Sequence, residues 1–144
     1  MATRIVLDNN THRAEYWTRW YNLTAGAARQ IRSLYSTQEI ILTATQCYPG
    51  GGNSTNNYTI IYTDKHCAVV LMPHWDHAAV NCKAACEMWV REDSVNSWNA
   101  TCDDVYKQQC GNRKITVYKK EHCDAVINHF ATTTTHGPQL SNKC

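Results

Sequence analysis

The sequence predicts an all-β protein, an antiparallel barrel or curled sheet with one helix packed on its outside. Two observations carry the prediction. Short runs rich in Ile, Val, Tyr, Trp and Thr recur roughly every ten residues, the spacing of a meander, and turn-forming stretches such as "LDNNTH", "YPGGGNSTNN" and "TDKH" separate them. A single helix-like stretch then follows late in the chain. At 144 residues the chain makes one domain with a real core, and no internal repeat or second domain is visible. A barrel is preferred to a sandwich because closure protects strand edges.

In order, strands are expected at about 2–7, 14–23, 29–36, 39–46, 57–63, 66–72 and 84–91. The four residues of "TDKH" read as a tight hairpin. After Trp89 the pattern changes: "NATCDDVYKQQCGN" offers Thr101 as an N-cap, Asp104 three residues later and Gly111 as a stop, which makes one short helix. A last strand, "ITVYK" at 115–119, leads to Cys123. Beyond it "ATTTTHGPQLSN" is polar and low in complexity, so residues 1–123 are read as the barrel and 124–144 as a flexible C-terminal tail.

Composition narrows the function classes. A net charge of +2 is too small to suggest a nucleic-acid partner, and no stretch is apolar enough to span a membrane. Eight cysteines stand without the short repeated Cys/His pairs that zinc asks for, so disulfides are the better reading. Asn-x-Ser/Thr sequons at Asn9, Asn22, Asn53, Asn57 and Asn99 are many for so short a chain, and they accept glycans only in a secretory compartment. Together these features argue for an extracellular protein. Yet "ATRIVLDNN" after Met1 has no basic n-region or apolar core of a signal peptide, and the start of the mature protein is expected to be missing.

The stretch "CEMWV" at 86–90 alternates as a strand does. If the helix covers this strand, Cys86, Met88 and Val90 form its floor, and Glu87 and Trp89 point into the barrel. Otherwise Glu87 is a rim carboxylate, paired with a surface cation or bonded to Tyr62. By the same alternation Tyr58, Ile60 and Tyr62 oppose Thr59, Ile61 and Thr63, and Tyr16 and Trp20 oppose Glu15 and Arg19. The inner wall is then aromatic with one carboxylate, a set of rings that can box a cation or simply fill a barrel. "HWDH" at 74–77 falls in a turn with no third ligand, so no metal is expected. No nucleophile stands in a recognisable nucleophile–base motif, so neither catalysis nor a cofactor is expected.

"YTDKHCAVV", then "CEMWV", then "NATC", with "VYKKEHC" closing the sequence, resemble the salivary lipocalins of ticks of the histamine-binding type. Their signature is Cys-Asp followed by an aliphatic residue, then Glu-Leu-Trp or Glu-Leu-Tyr, then a further Cys. Here it stands as Cys67-Ala68-Val69, Glu87-Met88-Trp89 and Cys102. The resemblance runs from Met1 to Cys123 and is weak before residue 57. It implies an eight-stranded lipocalin barrel whose ligand lies inside, with Glu87 and Trp89 facing the cavity, and a disulfide between Cys67 and Cys102. It also implies a bridge from Cys123 to a cysteine that would precede Met1, so the first strand and the N-terminal helix are expected to be absent. Ala68 replaces the signature Asp and removes one carboxylate. Residues 29–32 read Arg-Gln-Ile-Arg where a second acid belongs.

By this resemblance the chain is a secreted monomer that sequesters a small host mediator by stoichiometric capture. Histamine or serotonin would be held with the ammonium on Glu87 and the ring among Trp89, Tyr62, Tyr58, Tyr16 and Trp20, blunting host inflammatory and immune defence. One alternative is a lipid mediator such as a leukotriene or fatty acid, whose carboxylate meets Arg29, Arg32 or His66. Another is a host protein bound by the outer surface.

Overall fold

A computed structural model of the chain describes residues 2–78, 84–97, 100–110 and 114–133. Seven strands follow one another: β1 (Ala2–Asp8), β2 (Arg13–Asn22), β3 (Ala27–Gln38), β4 (Ile41–Cys47), β5 (Asn53–Thr63), β6 (Cys67–Leu71) and β7 (Cys86–Val90). They hydrogen-bond in sequence order, β1-β2-β3-β4-β5-β6-β7, as an antiparallel meander of the lipocalin type. Two helices come last, α1 (Ala100–Cys110) and α2 (Lys120–Thr133).

Turn chemistry sets the strand ends. At the β1–β2 turn the Asp8 carboxylate accepts from the Asn10 N–H at 2.9 Å and from the Thr11 hydroxyl at 2.6 Å, and His12 takes φ +52°. Asp64 does the same between β5 and β6, where one oxygen accepts the N–H of His66 (2.7 Å) and of Cys67 (2.9 Å). These donors hold its pKa below the usual carboxylate value.

The chain packs as two compact units. The first comprises Met1–Ser36, Ala44–Thr55 and Thr116–Cys144. In it α2 lies on the β2 face that carries Arg19 and Tyr21. His122 stacks on Tyr21 with ring centroids 5.6 Å apart, the Arg19 guanidinium sits 5.0 Å from the Phe130 centroid, and Val126 is fully buried. This helix is a departure from the sequence reading, which put a flexible tail from 124 onward; the helix runs on to Thr133. His122, Val126 and Phe130, spaced by four, form one stripe that has a strand to cover, and burial of that stripe outweighs the weak intrinsic preference of its threonine-rich end. The expected strand at 115–119 is also absent: residues 114–119 join no ladder, and Ile115 and Val117 are 80% and 90% exposed. A β-prone composition does not make a strand without a neighbouring edge to pair with.

The second unit comprises Thr37–Thr43 and Asn56–Ile115. Here α1 packs on β6 and β7 over a cluster of Cys67, Val69, Cys102 and Tyr106, with Met88, Cys86 and Val90 against it. Two disulfides fasten the helix to the sheet. Cys67–Cys102 has a Cα separation of 6.6 Å and Cys86–Cys110 one of 5.8 Å, both within the range a disulfide can span. The second pairing was not assignable from the sequence. Cys47 is also disulfide-bonded, and Cys123 is a free, half-buried thiol. Cys82, Cys144 and the sequon residue Asn99 lie outside the described residues.

Candidate functional site

Register decides which side chains share a face. β6 pairs with β7 as Cys67↔Val90, Ala68↔Trp89, Val69↔Met88, Val70↔Glu87 and Leu71↔Cys86. Directly opposed residues of an antiparallel pair project to the same side. Cys86, Met88 and Val90 therefore stand with Cys67 and Val69 under α1, whereas Glu87 and Trp89 stand with Val70 and Ala68 on the side away from it. The helix covers the apolar stripe of "CEMWV" and leaves its acid and indole on the opposite face.

On that face the Trp89 Nε1–H donates to Glu87 Oε2 at 2.7 Å. The bond orients the carboxylate and lays the indole back along its own strand toward Glu87. Tyr58 closes on the indole with ring centroids 6.1 Å apart, and His74, from the short 3-10 helix Pro73–Ala78, meets Tyr58 edge-to-face at 5.3 Å. Val70, fully buried, pairs with Ile60 on one side and Glu87 on the other and forms the floor. Glu87 itself is exposed, and Trp89 keeps 37% of its surface accessible. On the far side of the sheet the Tyr106 hydroxyl has its pKa raised, first by burial and then by the negative charge of Glu87.

Tyr62 does not belong to this face. Between Ile60 and Tyr62 the β5–β6 register shifts by one residue: Ile60 opposes Val70, and Tyr62 opposes Val69. Ile61 is the extra residue of a β-bulge, and after it the alternation is inverted. Tyr58 and Ile60 thus stay with Glu87, while Tyr62 turns under α1, packs on the cluster there and donates its hydroxyl to Asp64 at 3.1 Å. The stripe Tyr58, Ile60, Tyr62 read from alternation is broken by that single insertion. Tyr16 and Trp20 belong to the first unit. They share the β2 side opposite Arg19 and Tyr21, where Tyr16 meets Tyr35 edge-on at 5.5 Å and Trp20 stands across from Arg29.

Other candidate groups are committed elsewhere. Arg32 forms an ion pair with Glu15 at 2.6 Å. His66 Nδ1 lies 2.9 Å from Ser94 Oγ, and the serine donates to Asp93 at 2.9 Å, so the imidazole N–H is the donor to the serine oxygen. That arrangement staples a hairpin and leaves the serine without a base. Asp64, Cys67 and Cys102 lie close enough to hold an ion, yet both sulfurs are consumed by their mutual disulfide, which leaves only one carboxylate.

A family model described as tick histamine binding protein matches residues 1–125. The chain belongs to that family. No curated protein and no solved structure gives a match. Within this family, one of small-ligand binding proteins, the register gives a physical reading of the motif residues. Glu87 and Trp89 are adjacent on the face turned away from α1, and Ala68, which replaces the signature Asp, stands directly across from Trp89 on that same face. An acid at 68 would have been a second carboxylate beside the first. His74 is the member of the ring row that motif reading discarded, because its sequence context is only a turn; its placement depends on how the β6–β7 connection folds back on Tyr58.

Proposed function

We propose that this chain is a secreted lipocalin that captures a biogenic amine such as histamine or serotonin, and so blunts host inflammatory and immune defence. The observation that carries this reading is the Glu87 carboxylate held by the Trp89 indole beside the Tyr58 ring. An ammonium needs one anion and finds extra stabilisation over aromatic faces, and the face turned from α1 offers both. The mechanism is stoichiometric: the amine docks on Glu87, its ring lies against Trp89 and Tyr58, and nothing turns over. Tyr62, packed under α1, takes no part in this contact set. Secretion accords with the disulfides and with the exposed sequon residues Asn9, Asn53 and Asn57.

Ala68 favours a second reading. With one carboxylate fewer, the face is more apolar, and a lipid mediator such as a leukotriene would lie along Val70, Ile60 and the rings. Two of the three side chains that reading would use, Arg32 and His66, already have internal partners.

Calorimetric titration of the secreted glycoprotein with histamine, serotonin and leukotriene B4 separates the readings. Glu87→Gln keeps the shape and removes the charge, so amine binding should weaken by roughly 1.5–3 kcal/mol, the scale of a hydrogen bond to a charged group. Leukotriene binding should be unchanged or slightly stronger. Amine affinity that survives Glu87→Gln unaltered would remove Glu87 from the site.

A further inference from the structure

His74 Nδ1 is buried and has no hydrogen-bond partner among the described residues. Such atoms are rare, because a buried polar nitrogen without a partner has lost its water for nothing in return. The orphan nitrogen belongs to the ring that ends the row Glu87, Trp89, Tyr58, His74. Glu87 stands at the other end and accepts the Nε1–H of Trp89 beside it. The row therefore has an anion at one end and an unused imidazole nitrogen at the other, with aromatic surface between them. A ligand that matches it carries an ammonium on a short arm and an aromatic ring with its own N–H.

We propose that His74 is a specificity-determining residue of the Glu87 site: its Nδ1 accepts the ring N–H of an aromatic amine whose ammonium lies on Glu87. The assignment rests on the amine reading above and refines it. Glu87 selects for positive charge, which every primary amine satisfies. His74 selects among those amines for a ring donor, because a ring lacking N–H leaves the imidazole nitrogen as unpaired as it was before. The edge-to-face packing on Tyr58 positions the imidazole at the end of the ring row.

The test compares amines that share a two-carbon ammonium arm and differ in whether the ring carries an N–H. Histamine and serotonin carry a ring N–H; 2-phenylethylamine has the same two-carbon ammonium arm and none. His74→Phe keeps a ring against Tyr58 and deletes the nitrogen, and it should weaken histamine and serotonin by about fivefold to tenfold while leaving 2-phenylethylamine within about twofold. His74→Gln, which supplies an acceptor again, should recover part of the loss, and Glu87→Gln should weaken all three amines together. Thermal midpoints of the variants identify any that fail to fold, and the Gln variant then carries the comparison. Equal weakening of all three amines by His74→Phe would show a packing role and overturn the assignment while the amine reading stands. A wild-type protein that binds none of the three overturns both.

Discussion

Asp64 shows how one side chain can fix a hairpin and so the strand that follows it. Its carboxylate collects two backbone N–H groups, those of His66 and Cys67, and the Tyr62 hydroxyl besides. The donors favour the ionised form, so its folded-state pKa lies below the unfolded value, with the backbone bonds as the largest cause. A depressed carboxylate pKa contributes stability that is fully present above the unfolded value, about pH 4, and is lost as pH falls through the folded value. Asp8, held first by Thr11, Asp93, held first by Ser94, and Asp103, held first by Lys107, shift in the same direction and add to the same window. The thermal midpoint should accordingly be flat from pH 7 to about 5 and fall below about pH 4. Asp64→Asn keeps an acceptor oxygen but has no charge to titrate, so its midpoint should decline less steeply over that window, as a fluorescence melt at each pH would show. A parallel decline in both proteins would mean that the Asp64 charge contributes nothing to the acid limb.

At the scale of elements, α1 is the part most heavily fastened. Its hydrophobic surface is slight, with Cys102 and Tyr106 its only buried residues, and both ends are bridged to the sheet. Cys86–Cys110 closes 24 residues of chain, for which the loop-entropy relation gives about 3–4 kcal/mol. The double variant Cys86→Ser/Cys110→Ser should lose most of that in denaturant unfolding, and because the Cys67–Cys102 loop overlaps this one, the effects of removing the two bridges should not be additive. Glu87 is next to Cys86 in the chain, so a loosened β7 should also weaken the site. The seven strands up to Val90 and α1 were legible in advance because each rests on local signals: alternation, turn residues, a cap and a stop; the expected strand at 115–119 had alternation but no edge to pair with. The floor under α1 was legible for the same reason, since alternation puts Cys86, Met88 and Val90 on one face. Three features were not. The bulge at Ile61 is a register event between two strands, and nothing in "NNYTIIYT" marks which residue is left over. α2 was hidden because its stripe of His122, Val126 and Phe130 holds few apolar residues and finds its partners, Tyr21 and Arg19, on a distant strand. His74 looked like a turn residue because its neighbour in space, Tyr58, is supplied by another strand.

At the scale of the whole molecule, the positions of the described sequons make a prediction about function. Asn9 lies exposed in the β1–β2 turn and Asn53 exposed at the start of β5. Asn57 is more informative because it sits within β5, one residue before Tyr58, and so projects to the opposite side of the strand from the ring that meets Trp89. Its side-chain oxygen accepts from the Thr43 hydroxyl at 2.9 Å across the β4–β5 pair, which fixes the amide on that polar outer face. Asn22 differs: it is half-buried at the end of β2, and its side-chain oxygen caps the Ala25 N–H at 2.9 Å. A glycan on Asn57 would therefore stand on the threonine-rich side and leave Glu87, Trp89 and Tyr58 unobstructed. Mass spectrometry of protein expressed through a secretory route should find Asn9, Asn53 and Asn57 occupied, with Asn22 occupied least of these four. Enzymatic removal of the glycans should lower solubility, and loss of the Asn57 glycan should change amine affinity by less than about twofold, since Asn57 and Tyr58 project to opposite sides of the same strand. A large gain in affinity on deglycosylation would place the Asn57 glycan on the ligand side, contradicting the alternation on which the site is built.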